Sequence, residues 1–189
     1  RRDAGLAQSH GWWYSLAAAD VDGDGDTDLL AGNWGENTRF RASLARPARL
    51  YVNDFDRNGS AEQLITIYEG DEAYPLVLRP DLVAQMPVMK RKYLKHANYS
   101  EQTIEEMFSA EQLERALVWE VHHAQSAWLR NDGQGNFELL PLPRQAQLAP
   151  VFALLPGDFD GDGHTDLLLG GNFGQAKPEV GSYFASYGL

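Results

Sequence analysis

The chain has 189 residues, 43% of them hydrophobic and 23% charged, an ordinary composition for a globular protein with a substantial core. Its formal net charge of −11 disfavours nucleic-acid binding through phosphate neutralisation, and the absence of cysteine excludes a disulfide framework, a thiolate zinc site and a cysteine nucleophile. No stretch approaches the roughly 18 apolar residues that a membrane span needs.

The first predicted element is a pair of strands joined by an acidic turn. The apolar segment WWYSLAAA (12–19) precedes DVDGDGDTDLLAGNWG (20–35), in which five aspartates alternate over nine residues and a short apolar run follows. Short apolar runs bounded by glycine are typical of strands rather than helices. Because so many like charges repel one another, we expect a cation to bind at this turn.

A degenerate copy of the same pattern follows in the chain. The segment RLYVN (49–53) predicts a strand, and DFDRNGSAEQLITIYEG (54–70) repeats the acidic turn and the strand after it. Self-similarity of this kind is typical of repeat architectures, in which each repeat is one supersecondary unit. We therefore treat residues 1–70 as one part of the chain that contains two acidic loops.

The pattern changes between residues 71 and 118, where we expect an insertion of two or three short helices. Ser100 and Ser109 are candidate N-caps, and Ser109 with Gln112 has the spacing of a capping box. The basic residues in 90–95 could suggest a phosphate site. We expect these basic side chains instead to lie on a solvent-exposed face of a helix, as most charged clusters do.

The last part, residues 119–189, contains a predicted hairpin and a third acidic loop. SAWLRNDGQGNFELLPL (126–142) has apolar runs on both sides of a turn rich in Asn, Asp and Gly, which predicts a β-hairpin. DFDGDGHTDLLLGGNFG (158–174) then matches the first copy almost residue for residue, with one extra glycine. We expect all three parts to form one domain, and the chain to be part of a longer polypeptide.

Numbering each acidic loop from its first aspartate reveals one ligand pattern. Carboxylates or amides occupy positions one, three, five and nine, glycine occupies position six, and position seven varies, which suits a ligand acting through its backbone carbonyl. Calcium fits this oxygen-rich pattern best, because it accepts six to eight oxygens with loose geometry, whereas magnesium demands octahedral order and zinc prefers nitrogen or sulfur. We expect two to three calcium ions, with the second loop binding most weakly. The candidate metal ligands are Asp20, Asp22, Asp24, Asp26, Asp28, Asp54, Asp56, Asn58, Ser60, Glu62, Asp158, Asp160, Asp162, His164 and Asp166.

Two other kinds of loop share part of this pattern: the EF-hand and the ion-free Asp-Gly turn. An EF-hand shares the first aspartates and the glycine, but it needs a glutamate at position twelve, where this chain has Ala31, Ile65 and Leu169. The flanking segments also predict strands rather than helices. Ion-free Asp-Gly turns are common, but three copies in one register, each followed by an apolar strand, disfavour that interpretation.

The acidic loops resemble the FG-GAP or VCBS repeat family, whose blades build integrin-α-like β-propellers. The matching pattern is D-x-D-G-D-G-x-x-D followed by L-L-x-G, at residues 20–32 and 158–170, together with NWG and NFG near Asn33 and Asn172. The resemblance implies a mainly β fold, a fragment of such a propeller with a small helical insertion. It also implies side-chain calcium ligands at positions one, three, five and nine and a carbonyl ligand at position seven.

The same resemblance suggests how the chain is organised and where it works. It implies propeller blades in 1–70 with two calcium loops, a helical insertion in 71–118, and one or more blades in 119–189 with the third loop. Three motifs are too few for a closed ring, so we expect neighbouring blades from the same chain or from a partner chain. Bacterial members are typically exported, which implies an extracellular, cell-surface or periplasmic protein.

The sequence is compatible with three functions. The first is a calcium-stabilised binding or scaffold module that presents a surface to protein or glycan partners. The alternative is the catalytic or non-catalytic part of an exported carbohydrate-active enzyme, a lyase or hydrolase, on a propeller scaffold. No catalytic motif supports an enzyme, and no catalytic residue is assigned. A calcium sensor ranks last, because loops between paired strands offer little that can switch.

Aromatic residues and histidines supply the remaining candidates. Aromatic residues from Trp12 to Tyr14, with Trp34 and Phe173, could form a carbohydrate platform, but they flank predicted strands and are expected to pack within the fold. His122 and His123 lie beside Glu120 and could make an acid–base or metal pair. Adjacent positions in a strand point to opposite faces, so we do not expect both histidines to serve one site.

Overall fold

The computed structural model of the chain describes residues 4–177 and 181–187. These residues are 33% strand and 15% helix, and every pair of named strands is antiparallel, which confirms the predicted mainly β class. The strands form three sheets, and the described residues contain no closed propeller. None of their helices is both long and apolar enough to cross a membrane.

The described residues fold as two compact units. One, the discontinuous unit, comprises the chain up to Phe40 and again from His122 onward, and the other, the inserted unit, is Arg41–Val121. The inserted unit therefore lies in the sequence between two segments of the discontinuous unit. It includes the second acidic loop as well as the helices.

The first sheet of the discontinuous unit is built from two hairpins side by side. Its strands have the order β1-β2-β7-β8, where β1 is Ser15–Ala19, β2 is Asp28–Gly32, β7 is Ala127–Asn131 and β8 is Phe137–Pro141. The β7–β8 hairpin is the one that the sequence predicts. Its first strand joins β2 with Leu30 opposite Trp128, so segments about a hundred residues apart in the chain share one sheet.

A separate two-stranded sheet, the hairpin sheet, consists of β9 (Val151–Gly157) and β10 (Asp166–Gly171). The extra glycine of the third acidic copy appears here as a break in register between Gly170 and Gly171. A Cβ atom on Gly171 would lie only 1.7 Å from the carbonyl oxygen of Pro150, so no other residue fits without a backbone shift.

The inserted unit contains the third sheet, of order β5-β4-β3-β6. These strands are β3 (Ala48–Asn53), β4 (Glu62–Glu69), β5 (Glu72–Pro75) and β6 (Leu117–Val121). Four short α-helices lie between β5 and β6, more than the two or three helices that the sequence predicts: α1 (Arg79–Gln85), α2 (Met89–Lys92), α3 (Ile104–Met107) and α4 (Ala110–Glu114). A single 3₁₀ turn, His96–Asn98, lies between α2 and α3. Leu82 of α1, Met86 at the C-cap of α1 and Ile104 of α3 are fully buried in one cluster with Leu64 of β4. The helices thus supply much of the core of this unit.

The helix caps agree with the sequence at one site and differ at another. Ser109 caps α4 in a capping box with Gln112, as predicted. Ser100 is not a cap, and that prediction was wrong: Thr103 caps α3 in a capping box with Glu106. Three positions after Thr103 lies Glu106, whose carboxylate accepts the backbone N–H of Thr103, whereas three positions after Ser100 lies Thr103 itself. This difference explains why the helix begins after Thr103.

The basic residues in 90–95 are exposed, but one of them also has a structural role. Lys92 donates hydrogen bonds through Nζ to the carbonyl oxygens of Glu106 and Met107, at 2.9 and 3.0 Å. These carbonyls lie at the C-terminal end of α3, where a cation interacts favourably with unpaired carbonyl groups.

Candidate metal centres

Each acidic loop joins two antiparallel strands. Loop A (Asp20–Asp28) connects β1 to β2, loop B (Asp54–Glu62) connects β3 to β4, and loop C (Asp158–Asp166) connects β9 to β10. In all three, the residue at position nine opens the second strand and pairs with the residue just before position one. The loops are therefore the same structural element, which confirms the predicted order of strand, acidic turn and strand.

The loops bring carboxylates together. In each loop, three carboxylates each offer an oxygen that lies within 4.8 Å of the other two, close enough to hold one metal ion. Like charges so close repel strongly unless a cation lies between them. The three groups are Asp20, Asp22 and Asp24; Asp54, Asp56 and Glu62; and Asp158, Asp160 and Asp166.

In each loop, the carboxylate at position one accepts hydrogen bonds from backbone N–H groups later in the same loop. The Asp20 oxygens accept hydrogen bonds from the backbone N–H groups of Gly23 and Gly25, at 2.8 and 3.0 Å. This arrangement turns the loop so that alternate side chains converge. In loop C the same two positions donate to Asp158, Gly161 at 2.7 Å and Gly163 at 3.1 Å. In loop B the donors to Asp54 are Asn58 at position five and Gly59 at position six, both at 2.9 Å.

Positive φ angles occur at two positions of every loop. The predicted glycine at position six has a φ of 93°, 91° and 86° in loops A, B and C. Position four is also left-handed, a requirement that the sequence reading missed. Loops A and C place glycine there, but loop B places Arg57, with a φ of 60°. A left-handed backbone costs a non-glycine residue roughly 1–2 kcal/mol, so loop B is the strained copy.

Position five orients position seven. In loop A, Asp24 accepts a hydrogen bond from the backbone N–H of Asp26 at 2.9 Å. The equivalent bonds join Asn58 to Ser60 and Asp162 to His164, both at 2.8 Å. The side chains of Ser60 and His164 are exposed. The arrangement suits a position-seven ligand that acts through its carbonyl.

Position nine differs most among the loops. Asp28 is fully buried, and its two oxygens accept hydrogen bonds from Val21 N at 3.2 Å and from Asn131 N, at the end of β7, at 2.7 Å. It thereby ties loop A to the neighbouring hairpin, and it is not in the group of three carboxylates. Its role as a metal ligand stays a prediction. No sequence pattern indicates the Asn131 contact, because the two residues lie 103 positions apart.

Glu62 is the position-nine carboxylate of loop B. It is 4% exposed, and Oε2 accepts a hydrogen bond from Phe55 N at 2.8 Å. Burial raises the pKa of the Glu62 carboxyl, and the neighbouring Asp56 and Asp54 charges act in the same direction, while the Phe55 hydrogen bond opposes them. A divalent cation in loop B would favour the ionised carboxylate again.

Loops A and C contact each other directly within the discontinuous unit. The hydroxyl of Thr165, at position eight of loop C, donates a hydrogen bond to the carbonyl oxygen of Asp20 at 2.8 Å. The backbone at position one of loop A is thus held by loop C.

The aromatic candidates of the sequence lie in ring contacts within the discontinuous unit. Trp34 packs against Tyr14, Phe173 and Tyr183, with ring centroids 5.2–5.8 Å apart, and it is half-buried. Such tilted and edge-on contacts are typical of packing between aromatic side chains.

The histidine candidates follow β6. His122 stacks on His10 with ring centroids 5.0 Å apart, and burial lowers the pKa of His123. The Glu120 carboxylate accepts a hydrogen bond from Arg49 Nε at 2.8 Å, within the inserted unit. This carboxylate is therefore part of an ion pair on the third sheet.

Comparison with known proteins identifies one repeat. The FG-GAP repeat family matches residues 12–43, which contain β1, loop A and β2. This match confirms the resemblance to the FG-GAP family for that part of the chain. Neither the curated proteins nor the solved structures gave a match.

Proposed function

We propose that this protein is a calcium-stabilised, β-propeller-like binding module that presents a surface to protein or glycan partners. An FG-GAP repeat indicates a module of this general kind. The observation that carries the proposal is the repetition of one turn in three loops, each with three carboxylate oxygens within 4.8 Å of one another.

Calcium is the ion best suited to these loops. The side-chain donors at positions one, three, five and nine are carboxylates or an amide, and position seven adds a backbone carbonyl. A site of five protein oxygens completed by water matches the six to eight oxygen ligands of calcium. Zinc would favour nitrogen or sulfur donors, and His164 is the one histidine in the loops.

The ion would stabilise the hairpins. Positions one and nine flank the loop, and position nine belongs to the second strand, so an ion bound by both ends would cross-link the strand pair. Such binding contributes directly to the free energy of folding. Without disulfides, the chain has few other means of fixing these turns.

The proposed location is outside the cytoplasm: extracellular, at the cell surface or periplasmic. This proposal rests on the resemblance to exported bacterial proteins with the same loop pattern. Free calcium is abundant outside the cytoplasm, where even modest calcium sites would stay filled.

Thermal unfolding in excess calcium, in EGTA and in excess magnesium tests the metal proposal. At free calcium of about 100 times the Kd, each site adds about 2.7 kcal/mol to the free energy of unfolding, so chelation lowers the Tm clearly. Asp160→Asn in loop C removes most of one increment, whereas Glu101→Gln, an exposed charge outside the loops, leaves the calcium effect unchanged. Equal melting curves in calcium and EGTA would exclude a stabilising ion.

A further inference from the structure

The helical part of the inserted unit carries a concentrated positive charge. Residues 82–100 contain no aspartate or glutamate, and four of the 16 lysines and arginines of the chain lie within residues 90–95. All four of these side chains are exposed. The chain as a whole has a net charge of −11, so this segment is opposite in sign to the molecule that carries it.

Three of these cations are free to meet an anionic partner. Lys90, Arg91 and Lys95 form no ion pair with any described carboxylate, and the ion pairs of the described residues are made by arginines outside this segment. Lys92 is different, because its Nζ is bound to two carbonyl oxygens of α3. Since the other three charges are exposed and unpaired, an external anion can bind them without breaking an internal contact.

The backbone beneath these side chains is held in place. Met89 and Tyr93 are 8% and 2% exposed, and both belong to the buried cluster of the inserted unit. Arg79 of α1 donates hydrogen bonds through Nε to the carbonyl oxygen of Tyr93, at 2.7 Å, and through Nη2 to that of Leu94, at 3.3 Å. The segment from α2 to Leu94 therefore presents a fixed set of side chains to the outside.

Two aliphatic side chains flank the charges. Leu94 is 77% exposed, the most exposed large aliphatic side chain of the described residues, and Val88, the N-cap of α2, is 55% exposed. Neither residue belongs to a strand, so an uncovered edge or face of a sheet does not account for their exposure. The hydrogen bond from Arg79 holds the backbone of Leu94, so the exposure of the leucine side chain is built into the fold.

A bilayer with anionic lipids satisfies both features of this segment. Lipid phosphates attract lysine and arginine, and aliphatic side chains are stabilised at the boundary between headgroups and acyl chains. A single-stranded nucleic acid would instead stack its bases on aromatic side chains, whereas the exposed apolar side chains here are aliphatic. A soluble polyanion would neutralise the cations but leave Leu94 and Val88 in water.

We propose that a basic surface formed by Val88, Lys90, Arg91, Leu94 and Lys95 binds peripherally to bilayers that contain anionic phospholipid. The three cations contact lipid phosphates, and the leucine and valine enter the boundary between headgroups and acyl chains. This contact goes beyond the binding of protein or glycan partners proposed above. It uses no residue of the acidic loops, so it can fail while the calcium proposal holds.

Flotation of the intact chain with vesicles, at one fixed calcium concentration, tests the contact. Vesicles of phosphatidylcholine with about one-third phosphatidylglycerol are compared with vesicles of phosphatidylcholine alone. We expect saturable binding to the anionic vesicles only, weakened by added salt because salt screens the charges. The triple variant Lys90→Gln, Arg91→Gln, Lys95→Gln should bind about 100-fold more weakly, since each basic contact with an anionic leaflet contributes about fivefold. Leu94→Ser should weaken binding about tenfold, because it removes most of the inserted apolar side chain.

Matched controls remove the same groups at exposed positions outside the basic surface. The triple variant Arg41→Gln, Arg115→Gln, Arg144→Gln changes the net charge equally. Leu44→Ser removes a leucine that is 53% exposed. Both controls should bind anionic vesicles within about threefold of the wild type, because charges beyond a Debye length from the bilayer are screened.

Three results would overturn the proposal. The first is no binding to anionic vesicles at lipid concentrations up to about 1 mM; binding of soluble polyglutamate under the same conditions would then assign the basic surface to an acidic protein. The second is an equal loss of binding in the two triple variants, because net charge alone would then determine it. The third is binding that survives in the triple variant of the basic surface but is lost in Asp160→Asn, because calcium bridging between loop C and lipid would then be the contact.

Discussion

At the scale of single residues, the ninth position of the acidic loops shows how one sequence pattern supports different roles. Asp28 is buried and tied to β7 through Asn131, Glu62 is buried with a raised pKa, and Asp166 accepts a hydrogen bond from Phe159 N and belongs to the loop C group of three carboxylates. The residue at this position can therefore anchor a neighbouring strand, carry a buried carboxylate or join a group of carboxylates that could hold a metal ion, depending on what surrounds it.

Replacing Glu62 with glutamine should have opposite effects with and without calcium. Burial raises the pKa of the Glu62 carboxyl in the folded chain, so its ionised form opposes folding near neutral pH. That penalty is relieved as the pH falls through the raised folded-state pKa. Glutamine carries no charge and can still accept the Phe55 hydrogen bond. In EGTA, Glu62→Gln should raise the free energy of unfolding, and in calcium it should lower it by most of one site's contribution, about 2.7 kcal/mol at 100 times the Kd.

The matched control for this test is Glu69→Gln, an exposed carboxylate on the same strand. Urea unfolding at pH 7 and at a lower pH, in EGTA and in calcium, measures all three proteins. The gain of Glu62→Gln in EGTA should shrink toward acidic pH, because wild-type Glu62 is then protonated. Destabilisation by Glu62→Gln to the same extent in EGTA and calcium would contradict a metal role for Glu62.

At the scale of elements, the strand–loop–strand unit is the part of the fold that sequence patterns predict best. Alternating aspartates, glycine at position six and a following apolar run are all local signals, and loops A, B and C conform to them. The β7–β8 hairpin was predicted for the same reason. Position four of loop B was missed, because nothing in the local sequence shows that Arg57 adopts a left-handed backbone.

Asn33 links three elements of the discontinuous unit and should be sensitive to substitution. It is fully buried, its Nδ2 donates to the His123 carbonyl at 3.0 Å, and its Oδ1 accepts from Trp34 N at 2.7 Å. Asn33→Ala leaves a buried acceptor and a donor without partners, and we expect a loss of about 2–4 kcal/mol in the free energy of unfolding. Urea unfolding followed by tryptophan fluorescence measures this loss.

Asn37 provides the comparison for Asn33. Its Nδ2 donates to the carbonyl oxygen of Leu148 at 3.0 Å, but the residue is exposed, so water can replace the bond. Asn37→Ala should change the free energy of unfolding by roughly 0.5 kcal/mol or less. Equal losses for the two substitutions would show that burial of Asn33 does not matter.

The helix caps of the inserted unit give a second test at this scale. Thr103 accepts a hydrogen bond from Glu106 N and receives the Glu106 carboxylate at its own N–H, so Thr103→Ala should cost about 1 kcal/mol. Ser100→Ala should stay within roughly 0.5 kcal/mol, because Ser100 caps no helix. Chemical denaturation of the two variants distinguishes them, and a larger loss for Ser100→Ala would contradict the observed cap.

At the scale of the whole molecule, the sequence predicted the classes of element but not the partners of the strands. Local periodicity cannot show that β2 pairs with β7, or that β3 pairs with β6 across four helices, since these pairings depend on tertiary packing. The helices do lie within the predicted 71–118 segment. However, β5 falls entirely within that segment and β6 begins in it. The boundaries of the segment, which follow a change in composition, therefore do not coincide with the boundaries of the third sheet.

The sequence likewise predicted the local part of each candidate metal site but not its longer-range contacts. The carboxylates at positions one and three of every loop converge as the pattern indicates. The position-nine environments were not predictable, because Asp28 is bound by a residue 103 positions later. Contacts of that range join segments that the inserted unit separates in the sequence, so no local pattern can indicate them.

Calorimetric titration of calcium into the metal-stripped chain tests the central claim most directly. The account predicts saturable binding of two to three ions. Asp20→Asn and Asp158→Asn should each remove one ion. Asp54→Asn should remove one ion if the wild-type chain binds three, and it should leave the count unchanged if the wild-type chain binds two. Absence of saturable binding, or an ion count that none of the three substitutions changes, would contradict the conclusion that these loops are metal sites.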